Sequence, residues 1–344
     1  MAVNTESFSF SPSRYHRYIA TDTDLPLTYD GGDLKAWRRS LRSRLRKSLG
    51  DMPQKRVPLN VKCLWTRTHP LGQIDKIVFT AEPHCDVPAY VGTPKNTTPP
   101  YPFMICLQGH STGMHNSIAV QQDNEDKELE VRGDRDFAIE CMRRGVAALC
   151  IEQRSFGERA EKTQSHVCPY NACHDAFVQA LMLGRTLLGE RVFDVDRAID
   201  YLAMRDDVDM RRIGVMGNSG GGTTSIFAAA VLRRLSFAMP SCSFCTFAES
   251  KMALYHCSCG YLPGIAKYAE MADLLGLFAP RPVVVVAGKD DNIIPLAGVQ
   301  KAFRQLRRIY HAADADEHCH LVVGKEGHRF YADDAWPMML REIK

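Results

Sequence analysis

The stretch RIGVMGNSGGGTTSIFAAAVL, residues 212–232, places a single serine, Ser219, between glycines. The apolar run before it is typical of a buried strand, and the alanine-rich run after it is typical of a helix. A chain that turns sharply from strand to helix holds its central residue in a strained backbone conformation, where neighbouring side chains would collide and glycine is favoured. GNSGG therefore fits the G-x-S-x-G turn that exposes a serine hydroxyl beside the positive end of the helix dipole. A glycine-rich turn with an incidental serine is the alternative.

Predicted strands and helices alternate along most of the chain. Three β-rich stretches separated by turn residues come first and predict antiparallel strands at 57–69, 75–83 and 87–94. Further strands are predicted at 102–109, 146–153, 212–218, 236–242, 281–288 and 319–324, and helices at 135–145, 190–205, 299–313 and after Tyr331. This order predicts an α/β fold, a mostly parallel twisted sheet with antiparallel leading strands and helices on both faces.

The length of 344 residues allows one large domain or two ordinary ones. No internal repeat is visible, and we predict a single domain over 33–344, preceded by a polar, glycine-punctuated arm at 1–32. Within 37–50, leucines recur every four residues between basic residues, which predicts a helix docked through one apolar stripe. The stretch 157–187 is longer than a simple crossover and is predicted to contribute to a lid or rim.

Composition limits the classes of partner. The net charge of +3 is small for this size and argues against a nucleic-acid-binding or membrane-binding surface. No run approaches the ~18 apolar residues of a membrane span. The first residues lack the pattern of a secretory signal, so the twelve cysteines are expected to be mostly reduced thiols in the cytoplasm. A homo-oligomer is left open.

A serine hydroxyl becomes a strong nucleophile only when a histidine takes its proton and an acid orients that histidine. Two predicted strands after Ser219 run into loops that carry Asp290 and Asp291 in one case and His328 in the other. All three loops follow the carboxyl ends of predicted parallel strands, where such sheets bind ligands. The amide of Gly220 is expected to donate to the oxyanion. These observations predict Ser219 as nucleophile and His328 as base, and leave the two aspartates open as the acid.

Four segments carry a family resemblance: GKDDNIIP at 288–295, GHRFYADDAWP at 327–337, GERVFDVDRAIDYL at 189–202, and the GNSGGGT run. Through them, and over roughly residues 34–344, the chain resembles α/β-hydrolases of the dienelactone hydrolase and acetyl-xylan-esterase-like group. The resemblance implies the α/β-hydrolase fold. It also implies Asp291 as the acid, because Asp291 stands four residues before the proline of the G-x-x-D-x-x-x-P loop.

The same resemblance implies further site residues. In the resembling esterases the residue after a glycine at a strand end supplies the second oxyanion amide, and His110 in CLQGHSTG matches it. The His110 imidazole is expected to shape the pocket, with a role as a second base as the alternative. The segment 245–264 resembles one that lies close to the active site, and a lid or rim is predicted near 245–270.

Three side chains at or just beyond the end of the strand predicted at 146–153 are predicted to border the cleft and bind substrate: Glu152, Arg154 and Phe156. An arginine there suits a substrate carboxylate or sugar hydroxyls. A salt bridge that holds the loop is an equal alternative for Arg154.

The resemblance implies a serine esterase that removes acetyl or other small acyl groups from a carbohydrate through an acyl-enzyme. The substrate is then a small-molecule or oligosaccharide ester. A dienelactone-type or general small-molecule carboxylesterase is one alternative. A ligand receptor on a hydrolase fold, with catalysis lost, is another.

Two segments combine metal-ligand residue types, HVCPYNACH at 166–174 and YHCSCG at 255–260. Their candidate ligands for a combined zinc site are His166, Cys168, Cys173, His174, His256, Cys257 and Cys259. However, Ser-His-Asp chemistry needs no metal, and buried cysteines pack as small apolar residues. No metal and no cofactor is therefore expected.

Overall fold

The computed structural model describes residues 10–161 and 173–343. Their strands are β1 (Lys62–His69), β2 (Gly72–Glu82), β3 (Cys85–Pro94), β4 (Tyr101–Leu107), β5 (Ala147–Ile151), β6 (Val208–Asn218), β7 (Phe237–Ser241), β8 (Val283–Gly288) and β9 (Cys319–Gly324). Their helices are α1 (Pro12–Thr21), α2 (Leu34–Leu49), α3 (Phe137–Arg143), α4 (His174–Met182), α5 (Leu187–Leu202), α6 (Gly220–Val231), α7 (Met271–Gly276), α8 (Leu296–His311) and α9 (Ala332–Glu342).

The nine described strands form one sheet in the order β1-β2-β3-β5-β4-β6-β7-β8-β9. β1, β2 and β3 pair antiparallel with one another, and β3 pairs antiparallel with β5. From β5 to β9 every pairing is parallel. The predicted mostly parallel sheet with antiparallel leading strands is confirmed.

Helices cover both faces of the sheet. Successive residues of its central strands point to opposite sides, so each face presents apolar side chains that must be buried. In β4, Phe103 and Ile105 belong to the hydrophobic core that also contains residues of α2, α5, α6, α7 and α8. Met104 and Cys106 belong to a second core, with residues of α3 and α9. A strand buried on both faces reads as a continuous apolar run, as PFMICL does.

The predicted docked helix at 37–50 is α2, and it begins earlier, at Leu34. The Asp33 carboxylate caps it by accepting from two amides of the first turn. Leu41, Leu45 and Leu49 are buried in the core, as the four-residue spacing predicts.

The predicted arm forms α1, none of whose residues is buried, and then a segment that packs on the domain. In that segment Tyr29 is buried, and its amide donates to the Asp273 carboxylate at 3.0 Å. Residues 1–9 of the arm lie outside the described residues, as do residues 162–172 of the predicted lid. The sequence did not predict the short helices α4 and α7. None of the helices in the described ranges has both the length and the hydrophobicity that a bilayer crossing requires.

The parallel strands bring five predicted site residues to one edge of the sheet. The loops after β4, β5, β6, β8 and β9 carry, in that order, His110, Glu152, Ser219, Asp291 and His328. Because these strands run the same way, their carboxyl ends lie together.

Candidate active site

Ser219 occupies a strained turn between β6 and α6, with φ 57° and ψ −116°. Its amide donates to the Ser241 carbonyl of β7 at 2.9 Å, which ties the turn to the sheet. A side chain on Gly217 would lie 2.5 Å from the Gly221 carbonyl carbon, and one on Gly221 would collide with the Leu107 carbonyl oxygen. The two glycines are therefore required by close backbone packing around the serine.

Asp291 and His328 form a hydrogen-bonded pair, with 2.7 Å between His328 Nδ1 and Asp291 Oδ2. Asp291 Oδ1 accepts from the amides of Ile293 at 2.9 Å and Ile294 at 3.0 Å. Burial by itself raises the pKa of the Asp291 carboxyl, but His328 and the two amides outweigh it and hold the pKa below its ordinary value. Asp290 is exposed. The geometry thus joins Asp291, and not Asp290, to the histidine.

Ser219 and His328 both line one cavity of about 580 Å³. Between these two described residues no hydrogen bond is formed. Such bonds are often long in structures without substrate and shorten when substrate binds. With Nδ1 bonded to Asp291, Nε2 is the nitrogen left to take a proton from a hydroxyl.

The two residues predicted to provide the oxyanion amides lie beside the serine turn. A side chain on Gly109 would stand 3.0 Å from the Asn218 carbonyl oxygen and 3.1 Å from Ser219 Cβ, so this backbone packs on the turn. A side chain on Gly220 would stand 2.9 Å from the His110 ring. Gly220 is the first residue of α6, where amides have no carbonyl partner within the helix. The loop and the helix start are close enough to act on one oxygen, and the oxyanion role remains a prediction.

The His110 imidazole faces the cavity and a cysteine. Its Nε2 lies 3.1 Å from Cys259 Sγ, and its ring packs edge-on against Phe156 with 4.7 Å between centroids. Burial opposes the charged imidazole, but hydrogen bonds with Cys257 and Cys259 raise the pKa of His110 to about 9. The ring thus shapes the pocket wall, and its bonded Nε2 does not suit a second base for the serine.

Contrary to the prediction, Glu152 does not border the cleft. Its side chain is buried, and its oxygens accept from the amides of Met114 and Glu158, each at 3.1 Å. A side chain on Gly157 would collide with the carboxylate, so the loop closes tightly around it. Glu152 is not among the described residues that line the cavity. It connects the loop after β4 to the loop after β5 and has no surface for substrate.

Arg154 also departs from the prediction of substrate binding, and its salt-bridge alternative is what the structure shows. Its guanidinium pairs with Glu82 at 2.7 Å, Asp194 at 2.8 Å and Glu190 at 3.1 Å. Asp194 also pairs with Arg159 at 2.8 Å. The network joins β2, α5 and the loop after β5, and the described cavity wall does not include Arg154.

We expect Glu152→Gln to change how stability depends on pH. Burial raises the pKa of Glu152 to about 7, against two amide hydrogen bonds that lower it. The unfolded chain loses this proton near pH ~4.3, so the free energy of unfolding falls as the pH rises from there to about 7 and is level above it. The variant lacks this titration. The difference in unfolding free energy between wild type and variant therefore shifts by about 3 kcal/mol across that range. Urea unfolding on both sides of the range measures the shift, and a constant difference would contradict the assignment.

Phe156, the third residue predicted to bind substrate, lines the cavity. Its ring lies beneath the Arg191 guanidinium, whose central carbon is 4.2 Å from the ring centroid. Arg191 is buried on α5. Phe156 therefore presents one apolar side to the cavity and packs on a buried cation with the other.

The predicted rim at 245–270 contributes Lys251, Tyr255 and His256 to the cavity wall. His256 Nε2 lies 2.9 Å from Ser250 Oγ. Burial, with the nearby charge of Lys251 second, lowers the pKa of His256 to about 4, so this imidazole is neutral. Burial also lowers the pKa of the Lys251 ammonium.

Cys242, which was not predicted as a site residue, directly follows β7 and lines the cavity. Its φ is 45°, and its thiol donates to the Arg329 carbonyl at 3.1 Å. The Cys242, Asp291 and His328 ligand atoms lie within 4.8 Å of one another. Burial, followed by the Asp291 charge, raises the pKa of Cys242 to about 12 and keeps it protonated. The sequence signal that could have identified Cys242 was its position at the end of a predicted parallel strand.

Four residues with metal-ligand atoms converge at the cavity wall: His110, Cys173, Cys257 and Cys259. Of the metal-ligand residues singled out in the sequence, His166 and Cys168 lie outside the described residues. His174 is exposed and pairs with Asp175 at 3.1 Å. The structure thus regroups the sequence candidates and adds His110 to them.

Comparison with known proteins places the chain in a family. The model of the Abhydrolase family matches residues 24–334. YtaP of Bacillus subtilis (strain 168), a candidate hydrolase by name, is 27% identical over 298 residues, 85% of this chain and 94% of YtaP.

Two solved structures share the fold. A candidate acetyl xylan esterase from Bacteroides fragilis NCTC 9343 has a TM-score of 0.75 at 15% identity, over 98% of this chain and 86% of that one. A glucuronoyl esterase from Solibacter usitatus has a TM-score of 0.66 at 16% identity, over 93% and 97%. These likenesses establish the α/β-hydrolase fold, and the match to the family model over most of the sequence shows that the chain belongs to the Abhydrolase family.

Proposed function

We propose that the protein is a serine carboxylic-ester hydrolase. The observation that carries the proposal is the 2.7 Å hydrogen bond between the buried Asp291 and His328, which lines the same cavity as Ser219. An oriented histidine beside a serine on a strained turn is the arrangement that activates a hydroxyl.

The mechanism follows from the roles of these groups. Ser219 Oγ attacks the ester carbonyl and gives its proton to His328 Nε2, while Asp291 stabilises the imidazolium. The amides of Gly220 and His110 stabilise the oxyanion of the tetrahedral intermediate. The intermediate collapses, and the alcohol leaves with the proton from His328. A water molecule then attacks the acyl-serine as His328 takes one of its protons, and His328 returns that proton to Ser219 Oγ as the acid leaves.

The substrate we propose is an acetyl or similarly small acyl ester of a carbohydrate. The cavity of about 580 Å³ is in the range of small-molecule sites, and Ser111, Thr112 and Gln122 give its wall hydrogen-bonding groups suited to sugar hydroxyls. The two structural neighbours named above are described as a candidate acetyl xylan esterase and a glucuronoyl esterase. A cytoplasmic location is part of the proposal and is supported by the cysteine-rich cavity wall, since thiols persist in reducing compartments.

Labelling with a fluorophosphonate probe, read by intact-mass analysis, tests the nucleophile. We expect one adduct on the wild type and none on Ser219→Ala. Ser243→Ala is the matched control, because Ser243 lines the same cavity and its removal should leave the adduct in place. If the folded wild type takes no adduct and yet binds a ligand tightly, the chain is a receptor on a hydrolase fold.

A substrate panel separates the proposed esterase from a dienelactone-type or general carboxylesterase. Acetylated sugars, aryl esters and lactones are compared by kcat/KM, with released acid as the readout. The highest kcat/KM on acetylated sugars supports the carbohydrate assignment, whereas a preference for lactones or simple aryl esters refutes it.

A further inference from the structure

Three separate segments bring one imidazole and three sulfurs together beside the cavity. His110 follows β4, Cys173 directly precedes α4, and Cys257 and Cys259 lie at the short 3₁₀ turn of the rim. One ligand atom from each residue lies within 4.8 Å of those of the other three. Cys173 and Cys259 are buried. The four side chains of this cluster, called the Cys₃His cluster below, take no part in the ester mechanism proposed above.

The ligand set and its spacing suit zinc. Structural zinc sites are tetrahedral, and Cys₃His is one of their usual ligand sets. Bond lengths of about 2.3 Å to sulfur and about 2.0–2.1 Å to nitrogen place the ligand atoms of such a site roughly 3.5 to 3.8 Å apart. The cluster is within about 1 Å of that spacing, so small side-chain rotations close it around an ion.

The charges near the cluster provide a second, independent argument. Arg191 is buried, and its guanidinium donates to Cys259 Sγ at 3.2 Å and to Cys173 Sγ at 3.5 Å. Its other hydrogen bonds go to the Arg154 carbonyl, and no described carboxylate pairs with it. A buried cation needs a compensating charge. Three thiolates with Zn²⁺ carry a net charge of −1, and the Arg191 charge brings the buried group to zero.

We propose that His110, Cys173, Cys257 and Cys259 bind one Zn²⁺ ion in a closed structural site, with Arg191 donating to two of the sulfurs. The cysteines bind as thiolates and His110 as a neutral imidazole, so uptake of the ion releases their remaining protons to solvent. All four positions are filled by the protein, and the ion therefore activates no water. No metal was expected from the sequence because ester hydrolysis needs none and buried cysteines pack as apolar residues. The candidate ligands in the sequence did not include His110, which comes from the loop after β4.

The ion would fix that loop. His110 contributes its side chain to zinc and its amide to the oxyanion hole, so the metal holds the amide at a set distance from Ser219. This consequence for catalysis rests on the proposed esterase function, whereas metal binding does not.

Metal content of the full-length protein tests the site. The protein is expressed with added zinc, purified under reducing conditions without chelator, and analysed by inductively coupled plasma mass spectrometry. We expect one zinc ion per wild-type chain, also one for Cys245→Ser, and far less than one for Cys259→Ser. Cys245 is a matched control because it is a buried cysteine of the rim segment outside the cluster. The proposal would be overturned if the wild-type protein contained no zinc. It would also be overturned if peptide mapping showed a disulfide between two of the cluster cysteines.

Two further measurements keep the test independent of folding defects and of ester hydrolysis. Reconstitution with Co²⁺ should give thiolate-to-cobalt charge-transfer and tetrahedral ligand-field absorption in the wild type. His110→Cys should retain these bands, since it offers a fourth thiolate, and His110→Ala should weaken them. Arg191→Gln should lower zinc affinity by about 10–100-fold in competition with a chelating dye. Unchanged affinity in Arg191→Gln, or full cobalt binding in His110→Ala, would refute the assigned ligand set even if Ser219 proves to be no nucleophile.

Discussion

Ser219→Ala is expected to lower kcat on an acetyl ester by a factor on the order of 10⁶, with the fold and ligand binding preserved. The expected loss is this large because the acyl-enzyme cannot form, and the remaining catalysis comes only from the oxyanion donors and from substrate positioning. Ser219 is held by its backbone, through the hydrogen bond that its amide donates to the Ser241 carbonyl and the packing of its neighbouring glycines. Removing the hydroxyl should therefore leave the turn in place.

Steady-state kinetics on a chromogenic acetate ester measure the loss, and the urea midpoint of unfolding verifies the fold. Ser243→Ala serves again as the control and should keep kcat near the wild-type value. A Ser219→Ala variant as active as the wild type would assign the nucleophile to another group.

Asp291→Asn is expected to lower kcat by about 10⁴-fold, while Asp290→Asn changes it little. Asp291 accepts from His328 Nδ1 and so keeps the proton on that nitrogen. An amide at this position can donate instead, which favours the wrong tautomer and leaves the imidazolium uncompensated. Asp290 is exposed and, at the backbone, donates to the Glu326 carbonyl. The adjacent pair is thus an internal control, with the same chemical change one residue apart.

The readout is kcat for both variants, together with the intact-mass labelling rate, which reports the reactivity of the serine alone. Equal losses in the two variants would point to a disturbed loop, and a loss confined to Asp290→Asn would reverse the assignment of the acid.

The strand-turn-helix unit at Ser219 could be predicted from the local sequence. Its glycines are needed for contacts within a few residues and with one neighbouring strand. The division into antiparallel leading strands and a parallel remainder also follows from pattern, since antiparallel hairpins and parallel crossovers leave different periodicities, whereas the strand order was not predicted. Choosing Asp291 over Asp290 needed the family resemblance. The physical difference between them, burial against exposure, depends on how the loop after β8 folds back toward His328.

The misassigned residues show where pattern is insufficient. A strand end fixes where the backbone of Glu152 and Arg154 lies, but not where their long side chains point. The partners of Arg154 come from β2 and α5, far away in sequence. The Cys₃His cluster was not predicted for the same reason: its three segments are far apart in sequence and meet only in the folded chain.

The proposed catalytic groups differ in local stability because of the position of β9 in the sheet. Ser219 follows β6, which has a paired strand on each side, whereas His328 follows β9, whose only partner among the described strands is β8. Amides at a sheet edge exchange with solvent through smaller opening motions than those of central strands. Partial heating should therefore release His328 from Asp291 before it disturbs the serine turn. The inactivated molecule would retain a folded centre and recover on cooling without refolding the whole chain.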